Sequence, residues 1–168
     1  IVAIPTILGL SVPLFPVLLH AVRLPAALSD KKGLLTMAWD TVWLFLTICI
    51  VCVRDGSMEE LRGGLTVAAV YMLGVWLVFG IARYAKLDRF KKAGCIAVVC
   101  GLWTAFGQDI CNWVLGEGIR LTICSADFSS WNTDLQINAN VYLIVLTGSL
   151  VLGGFLFVAG LIKERKRG

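Results

Sequence analysis

Apolar residues run along this chain in five long blocks, and the segments between them hold nearly all of its charge. The blocks cover residues 1–22, 34–53, 65–82, 93–114 and 141–162. An apolar helix of about 20 residues spans the hydrocarbon core of a bilayer. The pattern therefore predicts an all-α integral membrane protein, a single domain of four to five transmembrane helices. All four prolines, Pro5, Pro13, Pro16 and Pro25, lie in or just after the first block. Proline removes a backbone donor and clashes with the preceding turn, so residues 1–22 are expected to form a kinked or re-entrant segment. No basic stretch precedes its apolar core, so a cleavable signal peptide is not expected.

Charge orients the blocks. Arg23, Lys31 and Lys32 face a single acid, Asp30, in the first connection. Arg83, Lys86, Arg89, Lys91 and Lys92 face only Asp88 in the third, and Lys163 to Arg167 is a basic tail. The 54–64 connection and the long one over 109–140 are net acidic. Lys and Arg collect on the cytoplasmic side of short loops. The C-terminus is thus expected inside and the two acidic loops outside, in a bacterial inner membrane or a plasma membrane.

Composition agrees with this class. The chain has 168 residues, 58% of them hydrophobic and 15% charged, with a mean hydropathy of +0.85. A soluble domain carries about 25% charged residues. The net charge of +4 is spread over loops and tail rather than gathered into a patch, which argues against nucleic acid as a partner.

Small residues in the last block, Gly148, Ser149, Gly153, Gly154 and Gly160, predict a helix-packing face, because small side chains let helices approach closely in lipid. Trp113 suits an interfacial belt, while Trp43, Trp76 and Trp103 are expected to pack within the bundle.

Chemistry is sparse. Three ionisable groups fall within the blocks, Asp109 among them; His20 lies near the inner end of the first and Asp40 about two turns into the second, also near the inner side. His20 and Asp40 are expected to meet as one polar contact between helices, or to serve a small transporter or channel element. Asp109 is expected to face water at an outer mouth. One histidine is too few for a bis-histidine haem and makes a His-based metal site unfavourable, so no metal or cofactor is expected. No nucleophile elbow, zincin helix or phosphate loop occurs.

Six cysteines remain. Cys95 and Cys100 are expected to be buried, reduced and apolar in behaviour. Cys111 and Cys124 fall on the outer side, where oxidising conditions favour a disulfide between them. Cys49 and Cys52 form a C-x-x-C pair followed by Arg54. Those residues and the Cys111/Cys124 pair resemble the quinone-linked thiol oxidases that recharge periplasmic disulfide donors, and their vitamin K epoxide reductase relatives. The resemblance implies a redox enzyme with a quinone beside Cys49 and Cys52. Against that, the motif closes a helix, where the dipole opposes a thiolate, and reactive thiols usually sit at helix starts or beside cations. The preferred expectation is a non-catalytic accessory subunit of a larger membrane assembly, touching an extracytoplasmic protein through the 109–140 loop.

Overall fold

The computed structural model describes residues 21, 30–55 and 58–166. The expectations for residues 1–22, His20 among them, fall outside the described residues except at Ala21. Four α-helices and one 3-10 turn make up the described chain, with no strand among the described residues. All four helices are long and apolar enough to cross a membrane. They are α1 (Lys32–Asp55), α2 (Met58–Tyr84), α3 (Arg89–Leu115) and α4 (Asp134–Arg165), and the 3-10 turn is Thr122–Ser125.

Each helix is bounded by local chemistry. The hydroxyls of Thr36, Thr41 and Thr47 in α1 donate back to the carbonyls of Lys32, Met37 and Trp43. That internal bond lets a polar residue sit in an apolar helix. Helix α2 opens on Glu59 and Glu60 and closes on Arg83, the charges its dipole favours. Asp88 caps α3 by accepting from the Phe90 amide at 3.1 Å. Gly116, at φ 89°, ends α3 in the left-handed conformation that glycine adopts without steric cost. Thr133 caps α4 by accepting from the Gln136 amide at 3.3 Å.

The chain divides into two compact units, residues 1–68 and 69–168, with the division inside α2. In the first, Gly64 of α2 lies where an added Cβ would stand 3.2 Å from Ile48 Cγ2 and 4.0 Å from Cys52 Sγ. Helix α2 therefore approaches α1 through a glycine at this point.

In the second unit, α3 and α4 form the main antiparallel pair. Their contact is built from glycines. A Cβ on Gly94 would lie 2.6 Å from the Gly153 carbonyl oxygen, and one on Gly153 would lie 2.8 Å from the Gly94 carbonyl oxygen. Gly101 receives the Ser149 side chain, and Gly160 receives the stem of Lys91. Gly153, Ser149 and Gly160 thus lie on the α3 contact. Gly148 and Gly154 do not, because an added Cβ there meets nothing within 4 Å among the described residues. A 3.6-residue repeat turns those two positions away from α3.

The rest of α2 packs on α3 through aromatic rings on glycines. The Trp103 indole covers Gly74 and donates to the Val70 carbonyl at 3.1 Å, and Tyr71 covers Gly107. At the 88–92 end, Lys91 pairs with Glu164, and Lys163 Nζ stands 3.7 Å from Asp88 and 4.6 Å from the Phe90 ring. Glu164 is half exposed, so the Lys91 pair contributes about 1 kcal/mol at most.

Candidate functional site

Two of the three buried polar residues in α3 and α4, Asp109 and Asn140, converge on one feature, the segment 116–133 that joins the two helices, while the third, Lys91, pairs with Glu164 at the other end. Asp109 lies near the end of α3 and is 5% exposed. Its carboxylate accepts from the Thr122 amide at 3.0 Å and from the Thr122 hydroxyl. This corrects the expectation that Asp109 faces water. The helix turns it inward, where the 3-10 turn supplies two donors.

Asn140 makes the matching grip from α4 and is fully buried. Its Oδ1 accepts from the Asp127 amide at 2.8 Å. Its Nδ2 donates to the Asp127 carbonyl at 2.8 Å and to the Ser130 carbonyl at 3.3 Å. A buried side-chain amide with donor and acceptor both engaged fixes the backbone it holds. Asn140 received no role from sequence, because 134–140 reads as the polar end of a loop. The N-cap at Thr133 starts α4 earlier and carries Asn140 into its second turn.

Between these grips the segment folds on itself. Asp127 Oδ1 accepts from the Ser129 hydroxyl at 2.6 Å and from the Ser129 amide at 2.9 Å. The Ser130 hydroxyl lies 3.0 Å from Gln136 Oε1 as its donor, and Trp131 Nε1 donates to the Phe128 carbonyl at 3.1 Å. The Phe128 and Trp131 rings stand 6.4 Å apart. The result is a cap with a hydrogen-bonded underside and an outside where apolar side chains stand among exposed charged and polar ones such as Glu117 and Asp127. Ile119 is 73% exposed, Phe128 55% and Trp131 45%.

The bonds from Ser129 hold the Asp127 carboxyl below the usual aspartate range. A carboxyl with a lowered folded value stabilises the cap above its unfolded pKa, about 4. That contribution disappears as pH falls through the lowered folded value. The Ser129 amide proton shift is expected to titrate with a midpoint below that of free aspartate, and Ser129→Ala to raise the Asp127 midpoint read at its own carboxyl carbon.

The cysteines behave differently from expectation. All six are free thiols. The Cys111–Cys124 bridge is absent, since no two cysteines stand at bonding distance. Cys111 is enclosed at 1% exposure, whereas Cys124 is exposed on the 3-10 turn. The cap is closed by Asp109 and Asn140 instead. Cys100 is exposed rather than buried. It lines an apolar groove of about 340 Å³ with Tyr71, Gly74 and Trp103. Cys49 and Cys52 are half-buried free thiols inside the unbroken helix α1, Cys52 against Gly64. Two residues three apart on one helix do not reach disulfide geometry without distortion. Alkylation of the native chain is expected to modify Cys124 rapidly and Cys111 only after unfolding, with no mass change on adding reductant. A reductant-dependent gain of two thiols would contradict this arrangement.

Asp40 lies in α1, and its expected partner His20 falls outside the described residues. No group of three or more metal-ligating side chains occurs among the described residues.

The fold and site together define an all-helical chain whose four described helices suit membrane crossing and whose buried polar groups hold a loop cap. No protein-family model, curated protein or solved structure matches it.

Proposed function

We propose that this chain is a non-catalytic subunit of a larger membrane assembly. It crosses the bilayer with α1 to α4 and presents the 116–133 cap to a partner on the extracytoplasmic side. The cap carries the proposal. The two polar side chains buried deepest in α3 and α4, Asp109 and Asn140, are both committed to its backbone. Its exposed face offers Ile119, Phe128 and Trp131. Aromatic residues held rigidly lose little entropy on contact, and they are frequent anchors of protein interfaces. The basic 83–92 connection and the acidic cap support the orientation, with the cap outside and the tail of α4 in the cytoplasm of a bacterial inner membrane or a plasma membrane.

Photo-crosslinking in native membranes tests this reading. A benzoylphenylalanine at position 131 is expected to give discrete protein adducts, which disappear when Asn140→Ala is added. Adducts to lipid alone, or none, would contradict it.

A further inference from the structure

Among the described residues, Asp40 is the ionisable group in the interior of α1 that finds no compensating partner. It lies about 12 Å along the axis from Lys32 and about 21 Å from Arg54, at 1.5 Å per residue. An aspartate side chain is too short to reach either end of the helix. Among the described residues its Oδ1 is enclosed and accepts no hydrogen bond, and the indole N–H of Trp43, three residues further on, donates none. The threonines beside it donate to their own helix at Lys32 and Met37. An unpaired carboxyl at this depth is costly and calls for a cation or a strong donor.

Two further observations point to a cation on another helix. Trp39 and Trp43 bracket Asp40 in sequence and pack edge to face, with ring centroids 5.4 Å apart. Indole faces are the strongest aromatic partners of an ammonium or guanidinium. On the side of α1 that carries Asp40, Leu44 one turn on and Val51 three turns on are 38% and 46% exposed, which leaves an apolar flank in line with the acid. Within a membrane, one well-placed polar pair specifies which helices associate.

We propose that Asp40 is an assembly group that receives the Lys or Arg side chain of a partner's membrane helix, with the Trp39–Trp43 pair beside the incoming cation. This rests on the subunit reading and names the chemistry of the partner. A helix bearing one basic residue at matching depth would be selected over an apolar helix of the same length.

The test uses the full chain in phosphatidylcholine vesicles with two labelled probes. One is a polyleucine membrane helix, and the other is the same helix with a single Lys at the depth of Asp40. Association is read by energy transfer. The Lys helix is expected to bind the wild-type chain at least tenfold more tightly than the all-Leu helix. Asp40→Glu should retain the preference, and Asp40→Leu should abolish it. Asp40→Asn, close in size to the native residue, replaces Asp40→Leu if that variant does not fold, and should weaken the preference strongly. Equal binding of the two probes to the wild-type chain, or a preference that survives Asp40→Leu, would overturn the proposal. Overturning it leaves the subunit reading standing if native partners are still recovered. A Lys preference in a chain that purifies alone would instead count against the subunit reading.

Discussion

Replacing Asn140 with alanine is expected to release the cap while leaving the four helices formed. The wild-type side chain closes three hydrogen bonds, to the Asp127 amide, the Asp127 carbonyl and the Ser130 carbonyl. Alanine removes all three at a position with no access to water, and each orphaned buried group costs about 1–3 kcal/mol. Relaxation of the loop toward solvent recovers part of this, so a net loss of about 3 kcal/mol is expected. Hydrogen exchange at the Asp127 amide reads the loss directly. It should accelerate about a hundredfold, as 1.4 kcal/mol corresponds to a factor of ten in an equilibrium constant. Exchange at mid-helix amides of α3 and α4 should stay unchanged. Asn140→Asp keeps the acceptor for the Asp127 amide but loses the donor to both carbonyls, so it should not restore the cap.

The second large effect belongs to the glycine contact between α3 and α4. At Gly94 and Gly153 each missing Cβ would fall on the other helix's backbone, 2.6 Å and 2.8 Å from a carbonyl oxygen. A backbone cannot rotate aside as a side chain can, so even alanine forces the helices apart. Gly153→Ala is expected to destabilise the pair by about 2 kcal/mol, within the range for overpacked interiors. Gly153→Leu should prevent native packing. The controls are on the same helix. Gly148→Ala and Gly154→Ala meet nothing within 4 Å among the described residues, so they should be neutral or stabilise by about 0.5–1 kcal/mol through reduced backbone entropy. Unfolding in mixed micelles, followed by circular dichroism, separates the two classes of substitution.

Both effects show what could be read from sequence. The helices were legible because long apolar blocks with charged ends have few alternative structures. The described helices nevertheless extend beyond the apolar cores. Asp134–Arg165 begins well ahead of residue 141, since the Thr133 cap and Asp134 favour helix in a polar stretch that hydropathy alone assigns to the loop. That extension is what hid Asn140. The glycine face was only partly legible. Small residues mark a candidate face, but 3.6-residue geometry decides which of Gly148, Ser149, Gly153, Gly154 and Gly160 meets the partner helix. The complementary glycines of α3, Gly94 and Gly101, were visible in the sequence and are seven residues apart, a spacing that keeps two positions on one helix face. Asp109 was misplaced for a related reason. A carboxylate at the mouth of a helix faces water unless a loop brings donors to it, and Thr122 lies thirteen residues away. The cysteine expectation failed on the same ground, because loop geometry, not compartment, sets the distance between Cys111 and Cys124.

The most direct test of the central claim is native mass spectrometry of the chain, purified from its own membrane in mild detergent or nanodiscs. The account predicts a complex heavier than the 18.3 kDa chain, containing at least one different polypeptide in fixed ratio. That polypeptide should be lost when Asn140→Ala opens the cap. A lone chain, unchanged in mass by that substitution, would contradict it.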